Sequence, residues 1–227
     1  MDDATCSPFF KLGLLAIAIM LGGGCTSMRR PATTAASNLQ IIRQDTDPNR
    51  RYAAYAKLAT PAVYDSDRQK GEAVKAMVDE MAKSREPLAT RAQICRTLGE
   101  LRDPAARDAI ITATGDPEAV IRVEACRALG KVGTSDDATV LARIMNVDQN
   151  PDCRVAAVDA LGILKSNDPR IHGVLLAGLE HEEPSIRYAS YQALKATTGK
   201  DLGVDVKAWS QYLQPKTDTA TMPATLK

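Results

Sequence analysis

Few residues in this 227-residue chain have the types and spacing that chemistry would need. There are five cysteines and two histidines, His172 and His181. Cys95, Cys126 and Cys153 lie in the body of the chain, and no histidine stands at ligand spacing from any of them, so a zinc site is not expected. Cys95 and Cys126 fall at equivalent places in two similar segments. Packed helix axes lie ~8–10 Å apart and a disulfide needs Cα atoms within ~7 Å, so the pair is read as two small buried hydrophobes. Cys153, next to Arg154, is expected to be partly exposed. Residues 200–205 (KDLGVD) have two acids of a calcium loop but lack the others and the bidentate Glu. Asp205 there reads as a helix cap. No glycine-rich phosphate loop and no serine nucleophile turn occurs. Neither catalytic residues nor a cofactor is expected.

Composition agrees. Hydrophobic residues make up 44% but aromatic residues only 4%, so the apolar content is chiefly Ala, Leu, Ile and Val. Such side chains suit closely packed helices. The net charge is +1; without residues 1–24 it is 28 basic against 26 acidic, or +2. A nucleic-acid binder would carry a basic excess.

What would position a binding surface is a repeat anchored on arginine. Arg51 begins RYAAYAKLA, Arg91 RAQICRTLG, Arg122 RVEACRALG, Arg154 RVAAVDALG and Arg187 RYASYQALK. The third and fourth residues after each Arg are small, apolar or aromatic, and the seventh is always Leu: Leu58, Leu98, Leu129, Leu161, Leu194. Offsets of three, four and seven make one helical stripe. Gly99, Gly130 and Gly162 follow, and glycine suits a helix C-terminus. A proline precedes each Arg (Pro48, Pro87, Pro117, Pro151, Pro184) and fits a first helical turn. Between these helices lies a second apolar stretch, opened by Asp103-Pro104, Ser135-Asp136 or Asp168-Pro169, with a longer one around residues 70–83. Each period is therefore a helix pair, and stacked pairs bury what one pair cannot.

These segments, Asp116–Gly130 above all, resemble HEAT repeats, in particular the short HEAT-like type associated with phycobilisome lyases. The resemblance covers residues 38–198 and implies an all-α, right-handed α-solenoid of about five antiparallel helix pairs. It also implies an Asp/Arg ladder along the stack. An acid sits six residues before the Arg in three units (Asp45 and Arg51, Asp116 and Arg122, Asp148 and Arg154), whereas Arg85 and His181 hold that place before Arg91 and Arg187. The ladder is expected to be broken or altered there. In this architecture the second helices line a concave face, where Gln93, Arg96, Glu124, Arg127, Asp159 and Gln192 would meet a partner. Residues 199–214 read as a cap carrying Trp209 and Leu213, and residues 215–227 as a disordered tail.

The N-terminus has a different character. Lys11, the apolar run Leu12–Leu21 and then Gly22-Gly23-Gly24-Cys25 resemble a bacterial lipoprotein signal. The run is too short to span a bilayer, which takes ~20 residues. Asp2 and Asp3 stand where positive charge is expected. The resemblance implies a signal over residues 1–24, lipid attachment at Cys25, a flexible tether over residues 25–37, and export to the cell envelope. The sequence-level expectation is thus a non-catalytic, membrane-anchored protein-binding scaffold, with an unknown protein partner and no nucleic acid. The alternatives are a lyase or enzyme-accessory protein of the HEAT-like type, or a purely structural envelope protein.

Overall fold

The computed structural model describes residues 34–164 and 168–214. The signal, Cys25 and the tail after residue 214 lie outside the described residues. Every regular element among those described is helical.

Five helix pairs follow one another: α1 (Ala35–Gln44) with α2 (Pro48–Leu58), α3 (Asp67–Lys83) with α4 (Leu88–Leu101), α5 (Arg107–Ala113) with α6 (Ala119–Val132), α7 (Ala138–Val147) with α8 (Pro151–Leu164), and α9 (Pro169–Gly178) with α10 (Pro184–Thr198). The second helices α2, α4, α6, α8 and α10 pack in a row, each on the next. The first helices form another row, in which α3 packs on α1 and α5, and α9 on α7. The final helix α11 (Val206–Leu213) packs on α9. α1 begins at Ala35, capped by Thr34, so residues 35–37 belong to the array rather than to the tether.

The arginine-anchored stripe is the core. Ala54, Tyr55 and Leu58, then Ile94, Cys95 and Leu98, then Ala125, Cys126 and Leu129, then Ala157, Val158 and Leu161 are all buried. In α10, Ser190 and Leu194 are buried, and Tyr191 is partly so. Proline opens α2, α8 and α10 as expected, but Pro87 caps α4 from outside and Pro117 precedes α6 by two residues. Asp103 and Asp168 cap as expected, whereas the segment before α7 is capped by Thr134 and Asp137, which satisfy each other's backbone N–H groups.

The three glycines differ from the expectation. Gly99, Gly130 and Gly162 are inside their helices, not after them. A Cβ on Gly99 would meet Ala128 Cα at 2.8 Å, one on Gly130 would meet Ala160 Cα at 2.9 Å, and one on Gly162 would meet Ala193 Cα at 3.0 Å. Glycine is required by the close approach of neighbouring second helices, and helix termination falls elsewhere. α10 does end on a left-handed glycine, Gly199.

Cys153 is buried, with Sγ 3.5 Å from the Ala119 carbonyl oxygen. The first turn of α8 lies against the start of α6, and that contact removes the expected exposure. Trp209 is fully buried and donates from Nε1 to the Gly203 carbonyl at 2.8 Å, closing the array.

Candidate functional site

The arginine ladder runs forward along the chain. Arg122 donates from Nε and Nη2 to both carboxylate oxygens of Asp148, at 2.8 and 2.9 Å. Arg91 pairs with Asp116 in the same sense. Arg51 pairs with Glu86, which also accepts from the Tyr55 hydroxyl at 3.0 Å, and Arg154 pairs with Glu183. Each bond therefore joins one unit's arginine to the loop of the next.

Within their own units the last three arginines bind backbone. Arg122 Nη1 donates to the Asp116 and Pro117 carbonyls, Arg154 Nη1 to Asp148, and Arg187 Nη1 to His181 and Glu182. An acid six residues ahead of an arginine thus lends its carbonyl to that arginine and its carboxylate to the preceding one. Where that place holds Arg85 or His181, the ladder shifts its acid to Glu86 or Glu183 and stays continuous. Asp45 pairs with the exposed Arg50 at 3.1 Å. The strong, bidentate hydrogen bonds to Arg122 hold Asp148 below the usual carboxylate range, and Asp148 raises the Arg122 guanidinium in turn.

A second rung lies outside the arginine-anchored repeat. Arg107, on α5, donates to both oxygens of the buried Asp137 at 2.8 and 2.5 Å. The signal for it is two opposite charges one repeat apart in sequence.

The expected surface residues divide. Arg96 and Arg127 are exposed, and both donate to Glu124: Arg96 at 3.2 and 2.8 Å, Arg127 at 2.9 Å. Glu124 is itself buried, so it organises the two arginines rather than meeting a partner. Burial pushes its carboxyl up, but the hydrogen bonds from Arg96, with Arg127 beside it, bring it below its ordinary value. Gln93 is also buried and donates to Thr97 Oγ1 at 3.1 Å. Both residues occupy the place two after the arginine, which turns toward the neighbouring helix. Gln192 is half-buried and Asp159 exposed. Loss of water contact in the groove raises the Asp159 carboxyl, against the pull of Arg127.

Between α6 and α8 these groups border a groove. Val120, Val123 and Val155 give it apolar walls, with Glu124 and Arg127 on one side and Asp152 and Asp159 on the other. Tyr52 and Tyr188, each one residue after its anchoring arginine, are exposed at the two ends of the same helix row. Among the described residues no group of three or more His, Cys, Asp or Glu could hold a metal, and no helix is long and apolar enough to cross a membrane. The 200–205 loop is occupied by its own bonds: Asp201 accepts from Tyr191 at 2.7 Å and Lys195 at 2.6 Å, while Asp205 caps α11.

Comparison with known proteins agrees with this architecture. The family model for HEAT repeats matches residues 74–162. No curated protein matches the chain. Among solved structures it is similar to a chain in the complex of CpcE and CpcF of phycocyanin lyase from Nostoc sp. PCC7120. That likeness has a TM-score of 0.59 at 18% identity, over 79% of this chain and 68% of the other. It is also similar to an engineered protein, with a TM-score of 0.53 at 16% identity, over 81% of this chain and 90% of the other. At such identities the likeness is one of fold.

Proposed function

We propose that this chain is a non-catalytic scaffold of HEAT-like repeats that binds another protein through the row of second helices. The observation that carries the reading is the buried Glu124 holding Arg96 and Arg127 outward beside the valine-walled groove. Two long cations fixed by one carboxylate have already lost much of their side-chain entropy, so docking onto them costs less. Acids across the groove, Asp152 and Asp159, give the surface both signs of charge, which suits a folded protein surface better than nucleic acid. HEAT repeats commonly serve protein association, and the CpcE and CpcF chain is described as part of a two-protein complex. The lyase alternative is supported by fold likeness alone.

We further propose that the scaffold is exported and tethered to a bacterial envelope membrane through a lipid on Cys25. The support is the run of Lys11, ten mostly apolar residues and Gly22-Gly23-Gly24-Cys25. Cys25→Ser should release the protein from the membrane fraction of its host; retention there would refute the tether.

The binding reading is tested by a photo-crosslinking residue placed at Val123 in the groove or at Arg143 on α7, in the host. A discrete adduct at position 123, weakened by Arg127→Glu and not formed from position 143, is expected. Equal adducts from both positions, or none from 123, would count against the surface.

A further inference from the structure

We propose that the space enclosed by α3, α4, α5 and the start of α6 is a binding site for a small, uncharged, largely apolar molecule that presents a carbonyl oxygen. The cavity measures about 270 Å³, near the lower end of the ~300–1,000 Å³ usual for ligand pockets. Val78, Met81, Ala109, Ala113 and Ile121 supply apolar walls, and the Arg91–Asp116 pair forms one polar end. Exposed Ala82, Ser84 and Thr112 stand at its rim. The cavity lies between the two helix rows, apart from the α6–α8 groove.

The space departs from the next unit, though in the same register unit five is also small there, with Val174, Ala177 and Gly178. Units three and four align without a gap, Arg122 on Arg154 and Asp116 on Asp148. In that register Ala109, Thr112 and Ala113 correspond to Leu141, Ile144 and Met145. Those three larger residues are buried one unit further on. Here small side chains leave it open, and an unfilled cavity costs stability in proportion to its volume.

The polar end departs from the three later units as well, a feature it shares with Arg51. Arg122, Arg154 and Arg187 all donate Nη1 to carbonyls of the loop before their own helix. Before α4 the chain instead passes through Ser84 in the left-handed region, at φ 50°. Among the described residues the hydrogen bonding of Arg91 is a single bond, from Nη2 to Asp116. Its other N–H groups remain for a ligand. Asp116 already balances the charge, so the site offers donors without a net field, which favours a carbonyl over a carboxylate or an ammonium. The Ser84 and Thr112 hydroxyls donate to the Met81 and Asp108 carbonyls, at 3.2 and 2.9 Å. Cys95 also lines the space, but burial pushes its thiol up to about 12, so covalent capture is not its role.

The test is calorimetric titration of the full chain with octanamide and, separately, octylammonium. Saturable 1:1 binding of octanamide is expected, with octylammonium weaker by at least about tenfold. The triple variant Ala109→Leu/Thr112→Ile/Ala113→Met, which carries the residues of the next unit, should melt no lower and bind no octanamide. Arg91→Lys keeps a cation beside Asp116 but loses the spare donors, and should bind about tenfold more weakly. Absence of saturation with octanamide, equal binding of octylammonium, or undiminished binding by the triple variant would overturn the proposal.

Discussion

Gly130 of α6 lies against Ala160 of α8 so closely that a Cβ on the glycine would stand 2.9 Å from the alanine Cα and 3.0 Å from its Cβ. Backbone, not a flexible side chain, blocks the space, so Gly130→Ala should force the two helices apart. The helix-propensity gain of roughly 1 kcal/mol is opposed by overpacking of about 1–3 kcal/mol. A net loss of thermal stability is expected, larger for Gly130→Val. Gly71 is the control, because it is helical with nothing near its missing Cβ; Gly71→Ala should raise stability by about 0.5–1 kcal/mol. Thermal melts of the three variants decide it, and a stabilised Gly130→Ala would refute the close approach.

The Arg122–Asp148 bond makes a prediction about acid. Hydrogen bonds from Arg122 lower the Asp148 carboxyl, so the folded chain binds that proton less readily than the unfolded chain does. The stability it contributes is fully present above the unfolded value of ~3.9 and is lost as pH falls through the lower folded value. Asp137, pushed up by burial but drawn further down by Arg107, has the same sign. Asp148→Asn should therefore lower the melting temperature at neutral pH and flatten its fall below about pH 4. Parallel acid limbs for variant and parent would show that the pair does not stabilise the fold.

The repeat register was legible because one physical rule wrote it five times: burial of offsets three, four and seven after an arginine. Position 8 is ambiguous in sequence, since glycine serves helix ends and close helix contacts equally well, and only the neighbouring Ala128, Ala160 and Ala193 distinguish the two. Spacing implies a broken or altered ladder before Arg91 and Arg187, but it does not locate the acids at Glu86 and Glu183, because they move by one or two residues when the loop changes path. The offset of Glu124 faces outward on an isolated helix, so its sequence position implies a surface residue. The neighbouring helix of the row covers it.

Trp209 closes the last stack, fully buried with its indole N–H held by the Gly203 carbonyl. Trp209→Ala should cost about 3–5 kcal/mol at that end. Because repeat arrays lose structure from their ends, amide exchange should rise first in α11 and α9, with α4 and α6 still protected. Uniform loss of protection along the array would mean that Trp209 is no local cap.

The three cysteines of the array give a test that is independent of melting. Burial pushes the Cys95 and Cys126 thiols up to about 12, and Cys153 is raised by the same cause. Only a thiolate attacks a disulfide reagent, and at pH 8 a group at 12 is ionised to about one part in ten thousand. All three are also closed to solvent. In a Cys6→Ser/Cys25→Ser variant, an aromatic disulfide reagent should therefore release no colour from the native chain and three equivalents in denaturant. The native rate should follow global or end-to-end opening, not the pH dependence of a free thiol. Fast native labelling of Cys153 alone would place the start of α8 away from the Ala119 carbonyl and restore the exposure that its sequence position implied.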